Sequence, residues 1–146
     1  IRLSNVYGSL QKKNSLIHSM HQAYNKEIQL NLSPLNFYRD FLYSKEAAIG
    51  IEKIIRNASG ILSINLGSGK NISMKYFVRT YWKIIGGKKN KLKFGKLIKS
   101  KNDPKTSKFY LNLKLLKKIT SWTPTNNLNK NIKDNIKNFR LMNVKN

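Results

Sequence analysis

Residues 36–55 read NFYRDFLYSKEAAIGIEKII, a stretch in which a strand pattern turns into a helix pattern. Its first half is aromatic and β-prone, which predicts a strand over residues 39–43. From about Glu46 the period changes. Ala47, Ala48, Ile51, Ile54 and Ile55 form an apolar stripe at helical spacing. The strand carries two adjacent opposite charges, Arg39 and Asp40, and their task has to be found in the rest of the chain.

Working outward, IQLNLS (28–33) reads as a strand stopped by Pro34, and GILSINLG (60–67) as a nearly continuous apolar strand buried on both faces. The next segment predicts a helix: Ser73 as N-cap, a stripe of Met74, Phe77, Val78, Tyr81, Ile84 and Ile85, and Gly86-Gly87 as the stop. Upstream, IRLSNVY (1–7) predicts a strand. Residues 14–26 predict a helix with Leu16, Ile17, Met20, Ala23 and Tyr24 on one face and Asn14 or Ser15 as its cap. Downstream, residues 92–98 read as a strand and Leu115, Leu116 and Ile119 mark a short helix. A last helix from Leu128 to about Met142 carries Ile132, Ile136 and Phe139. Strands alternating with helices, without a repeat or a domain-scale linker, predict an α/β layered architecture.

The chain has 146 residues, 40% of them hydrophobic, enough for a packed core. Its formal charge of +23 raises the prospect of a nucleic-acid partner. Only five of the 29 basic residues are arginine, however, and base-edge recognition leans on arginine's planar fork. Lysines spread along the whole chain, together with many asparagines and isoleucines, match the drift of an A+T-rich coding sequence. The one basic cluster, residues 86–101, reads as a solvated turn and an edge strand protected by lysine. No apolar run reaches the roughly 18 residues of a membrane helix. The absence of cysteine excludes disulfides and suits a cytoplasmic setting.

Catalytic patterns are sparse. His18 and His21 lie three apart on one helix, with no Cys or carboxylate cluster nearby to complete a metal site. LGSGK (66–70) lacks the upstream glycine of a P-loop and reads as a structural strand-to-helix turn. The Tyr-x-x-x-Lys spacing of Tyr110 and Lys114 is expected by chance among seven tyrosines and 24 lysines. The six acids form no obvious acid–base pair.

Taken in order, RLSNVYG (2–8), FYRDFLYSKEAA (37–48), SINLGSGKNISMK (63–75), NDP (102–104) and KLLKKITSWTPTNNLNKNI (114–132) are more specific than any single motif. Together they resemble the C-terminal half of the nucleotide-sugar epimerases and dehydratases, the extended branch of the short-chain dehydrogenase/reductase superfamily. The resemblance implies the C-terminal part of a Rossmann-type α/β fold, with late sheet strands and helices plus a small α/β substrate-binding lobe. Residues 1–146 would form one nucleotide-sugar-binding half. The half that holds the glycine-rich cofactor motif and the Tyr-x-x-x-Lys pair would be absent.

By the same resemblance, Arg39 binds the diphosphate of a nucleotide-diphosphate sugar, Asp40 orients that arginine or bonds nearby backbone, and Asn5 donates to the same diphosphate. A second family arginine falls on Ser100, flanked by Lys99 and Lys101, which would supply charge without the fork. NAD or NADP would be bound mainly by the missing half, and the full-length parent is expected to form a homodimer. The reaction implied is transient oxidation of the sugar at C4 by hydride transfer, with no turnover by this chain alone. The alternative is a non-catalytic basic module for nucleic acid or another polyanion. Several family positions depart: only Glu46 survives of an acidic pair, Asn112-Leu113-Lys114-Leu115 replaces Asp-x-Ser-Lys, and Ser121 replaces the glycine before Trp122.

Overall fold

The structure is a computed structural model that describes residues 1–60, 63–98 and 108–143. Strands β1 (Arg2–Leu3) and β2 (Asn5–Tyr7) lead into helix α1 (Leu16–Asn25) and strand β3 (Leu30–Leu32). Strands β4 (Tyr38–Arg39) and β5 (Phe41–Tyr43) run directly into α2 (Ser44–Asn57). Then come β6 (Asn65–Leu66), β7 (Ile72–Ser73), α3 (Met74–Ile85), β8 (Leu92–Phe94), α4 (Lys114–Thr120) and α5 (Leu128–Asn143). This is the mixed α/β architecture that the alternating patterns predict. The chain divides into two compact units, each assembled from three separate segments.

The first unit comprises Ile1–Gly8, Tyr38–Ile72 and Lys108–Asn127. The strand expected over residues 1–7 is broken at Ser4, because its two parts serve different partners. β1 pairs in parallel with β6, and β2 in parallel with β5. Ser4 N still donates to Leu66 O at 3.1 Å, whereas Asn5 N already donates to Asp40 O at 3.0 Å. Helix α2 lies over this framework with Ala47, Gly50 and Ile54 buried and Ile51 half-buried. Leu42, Leu66 and Leu116 are wholly buried in the same core. Truncating such a leucine to alanine typically costs 2–5 kcal/mol.

Two expectations fail here. Ala48 is exposed and Ile55 is 72% exposed, so the buried stripe of α2 is rotated away from them. The helix leans on its glycine instead: a Cβ at Gly50 would stand 2.5 Å from Leu66 Cδ1 and 2.9 Å from Trp122. The strand expected over 60–67 is confined to β6, with residues 61–62 outside the described part. Ile64 and Leu66 are buried, while Ser63 is exposed and Asn65 half-exposed, so only one face is apolar. On the other side Asn65 Nδ2 reaches Asn112 O at 3.2 Å.

The second unit comprises Ser9–Phe37, Ser73–Ser107 and Leu128–Asn146. α3 packs against α1 and α5, and α1 against β3. β3 and β8 form a parallel pair, shorter than the expected 28–33 and 92–98. Gly95, in the left-handed region, turns the chain so that Lys96 N and Leu97 N both donate to Leu32 O. Ser15 caps α1 and Ser73 caps α3, as read from the sequence. At the interior, Tyr81 Oη donates to Asn135 Oδ1 at 2.7 Å and therefore receives the Nε2–H of His21 at 2.8 Å. The His21 ring stacks on Phe139 at 3.7 Å. Burial, then the charges of Arg140 and His18, lower the His21 pKa to about 4.

Candidate functional site

The Arg39-Asp40 pair splits across the two faces of one strand. β4 and β5 are interrupted only at Asp40, and successive side chains alternate. Asp40 and Leu42 point into the interior and are both fully buried. Arg39 and Phe41 take the opposite face, half-buried.

Asp40 bonds backbone, one of its two expected tasks. Its Oδ1 accepts from Ser68 N at 2.6 Å. Its Oδ2 accepts from Gly69 N and Leu111 N, at 3.1 and 3.0 Å. A buried carboxylate is tolerated only where such donors replace water. Gly67 makes the approach feasible, since a Cβ there would lie 2.6 Å from Oδ2. Asp40 thus fastens the 67–69 turn and the 109–111 segment to the strand that carries Arg39.

Arg39 Nη1 donates to its neighbour's carbonyl, Tyr38 O, at 2.9 Å. The parallel register places Asn5 opposite Phe41 and Tyr7 opposite Tyr43, so Asn5 and Tyr7 share the Arg39 face. Ring contacts agree, with Tyr7 lying 6.3 Å from Phe41 and 5.5 Å from Tyr43. Asn5 is exposed. The bond from Asn5 N to Asp40 O ties β2 to the residue that follows Arg39; β2 pairs with β5, and Arg39 lies on β4, immediately before it. Lys99 and Lys101, with Ser100 and Asp103, lie outside the described residues.

The aromatic cluster of buried Tyr7 and Tyr43 with half-buried Phe41 is not evident from the sequence. Its signal was the period-2 spacing within NVY and FLY, which fixes a face only once the register is known. Gly8 serves the same corner, because a Cβ on it would meet Ser44 Oγ at 2.5 Å. Glu46 is structural: its carboxylate accepts from both Thr125 N and Thr125 Oγ1 and holds the segment after Trp122. Ser121, in the place of the family glycine, closes α4 in the left-handed region at φ 52°.

A dinucleotide is cradled by outward-turned N–H groups at a glycine-rich turn. In the Gly67–Gly69 turn the N–H groups of Ser68 and Gly69 go inward to Asp40, and Lys70 N goes to Ser68 Oγ. That turn therefore does not fit a pyrophosphate, and LGSGK is a structural turn as its sequence suggests. Among the described residues no group of three or more metal-ligating side chains is gathered.

No protein-family model matches the sequence, and no curated protein matches it significantly. Solved structures do. A dTDP-glucose 4,6-dehydratase from Bacillus anthracis, in complex with NAD, superposes with a TM-score of 0.83 at 18% identity, over 99% of this chain and 44% of its own. The UDP-glucose 4-epimerase of Thermotoga maritima with UDP-glucose gives 0.80 at 18% identity, over 97% and 45%. A UDP-N-acetylglucosamine 4-epimerase from Methanobrevibacter ruminantium, in complex with UDP-N-acetylmuramic acid, gives 0.79 at 20% identity, over 97% and 45%. The chain spans less than half the length of each of these proteins. Its fold is that of the C-terminal portion of the nucleotide-sugar epimerases and dehydratases, the extended short-chain dehydrogenase/reductases.

Proposed function

We propose that this chain is the nucleotide-sugar-binding part of an NAD(P)-dependent epimerase or dehydratase, inactive by itself. Arg39 grips the diphosphate through its guanidinium fork, and Asn5 donates to the same group from β2. The observation that supports this reading is the register that puts Asn5 on the face of Phe41 and Arg39, with the bond from Asn5 N to Asp40 O beside it. Lys99 and Lys101 add positive charge to the same phosphates. The transient oxidation at C4, by hydride transfer to nicotinamide, belongs to the complete enzyme, which works in the cytoplasm as a homodimer. No step of that oxidation is assigned to the residues described here.

The test is calorimetric titration with UDP and dTDP. A charge-assisted hydrogen bond contributes about 1.5–3 kcal/mol, so Arg39→Ala weakens binding by about 10- to 100-fold. Asn5→Ala weakens it several-fold, and the exposed pair Lys117 and Lys118, changed to glutamate, leaves it unaltered. Equal loss in the Lys117/Lys118 variant, or indifference to UDP beside salt-sensitive binding of an oligonucleotide, would replace this reading with the polyanion-binding one.

A further inference from the structure

Within the second unit, α1 and α3 end side by side at a cavity of about 560 Å³. Its apolar surface is made by Tyr24, Ile28 and Trp82, and its charged groups are Glu27, Lys88 and Lys91. Ile28 is an isoleucine left 51% exposed. Trp82 is held in place by its Nε1–H, which donates to Lys88 O at 3.0 Å. Gly87 lies directly against the indole, where a Cβ would come within 2.2 Å of the ring. The charges are not consumed by one another: among the described residues no ion pair joins Glu27 to Lys88 or Lys91.

The backbone fixes where Glu27 stands. Glu27 sits at φ 53° because it closes α1: its N–H donates to Tyr24 O at 3.2 Å and the Ile28 N–H to Ala23 O at 3.0 Å. That closure fixes the backbone of Glu27 and Ile28 beside the cavity. The carbonyls of Gln22, Ala23 and Tyr24 accept from the N–H groups of Lys26, Ile28 and Glu27, so the negative charge at this end of α1 is the Glu27 carboxylate. The corresponding end of α3 is met by Arg140, whose Nη2 lies 3.5 Å from Ile85 O and whose guanidinium stands 6.0 Å from the Tyr24 ring centre. One wall of the cavity is therefore negative, the segment after α3 supplies a positive wall, and the floor is apolar.

We propose that this cavity is a binding site for a zwitterion with an apolar body, a free α-amino acid or short peptide. The ammonium goes to Glu27, the carboxylate goes to Lys88 and Lys91, and the side chain lies on Tyr24, Ile28 and Trp82. The site shares no residue with the Arg39 face and does not rest on the nucleotide-sugar reading.

The test is NMR titration of the full 146-residue chain with L-phenylalanine, N-acetyl-phenylalanine, phenylalaninamide and the dipeptide Phe-Phe. Phenylalanine or Phe-Phe produces saturable shifts confined to residues 23–28 and 82–91, and the tighter of the two identifies the source. Blocking either charged end weakens binding at least about tenfold, as expected for a lost charge-assisted contact. Glu27→Gln and the double variant Lys88→Glu/Lys91→Glu do the same, whereas Arg39→Ala leaves it unchanged. The proposal is overturned if neither zwitterion saturates by about 10 mM, a Kd weaker than about 3 kcal/mol of binding. It is also overturned if N-acetyl-phenylalanine binds as well as phenylalanine, or if the folded lysine variant binds normally.

Discussion

Replacing Asp40 by asparagine changes almost no volume and removes one charge and one acceptor. In the native protein three backbone N–H groups converge on the two carboxylate oxygens at 2.6–3.1 Å, and the residue is fully buried. An amide has one oxygen. Placed at the Oδ2 position it keeps Gly69 and Leu111 but turns its NH₂ towards Ser68 N; placed at Oδ1 it keeps Ser68 and loses the other two. The better arrangement forfeits one charge-assisted bond, about 1.5–3 kcal/mol, and lowers the two survivors to neutral strength. The expected loss is about 3 kcal/mol. With a urea m-value of roughly 1–3 kcal/mol/M, the unfolding midpoint falls by about 1–3 M, read by far-UV circular dichroism. A loss below about 1 kcal/mol, with unchanged m, would mean that the three bonds are made equally well to water and that Asp40 does not fasten the segments it touches.

Two further perturbations read other parts of the fold. His21 is held neutral, with its pKa lowered from 6.5 to about 4, so below pH 6.5 the unfolded chain takes up a proton that the folded chain refuses. Stability is therefore full above pH 6.5 and declines as the pH falls towards 4, by up to about 3 kcal/mol. Urea titrations across that window should show the decline and should find it flattened in His21→Gln, which keeps a donor towards Tyr81; a flat wild-type profile would contradict the assignment. Ser121→Gly relieves a left-handed residue at the end of α4, at some expense in unfolded-state entropy, for a net gain of about 0.5–1 kcal/mol. Calorimetry should record a melting temperature higher by a few degrees, and a lower one would show that the Ser121 side chain contributes more than its backbone strain.

Much of this molecule was legible in the sequence because its periodicities are strong. The stripe and caps of α3, from Ser73 to Gly86, are local signals, and they appear as read. α2 misled for a physical reason: apolar counting gives weight to Ala48 and Ile55 and none to Gly50, yet the contact surface was chosen by how closely α2 could approach Leu66 and Trp122. The break at Ser4 was invisible because strand propensity does not state which neighbour a residue will bond. At the site, Arg39 and Asn5 were named by motif alone, while the inward turn of Asp40 follows from alternation and was within reach. The three N–H groups that meet Asp40 come from residues 28, 29 and 71 positions away, and no local pattern encodes such a meeting. Trp82 was passed over although it lies one step from the predicted stripe; it is buried because Gly87 admits its ring.

The change of partner between Ser4 and Asn5 bears on how the chain can fold as it is made. β1 is made more than 60 residues ahead of its mate β6, and α4, which rests on α2 and β6, ends at Thr120. β1 must therefore wait for β6 while the more than 60 residues between them leave the ribosome. A wait of that length raises the loop-closure entropy and slows the final zippering relative to a helical domain of equal size. During that wait Leu3 lacks its register partner Leu66 and is available to a chaperone or a neighbouring chain.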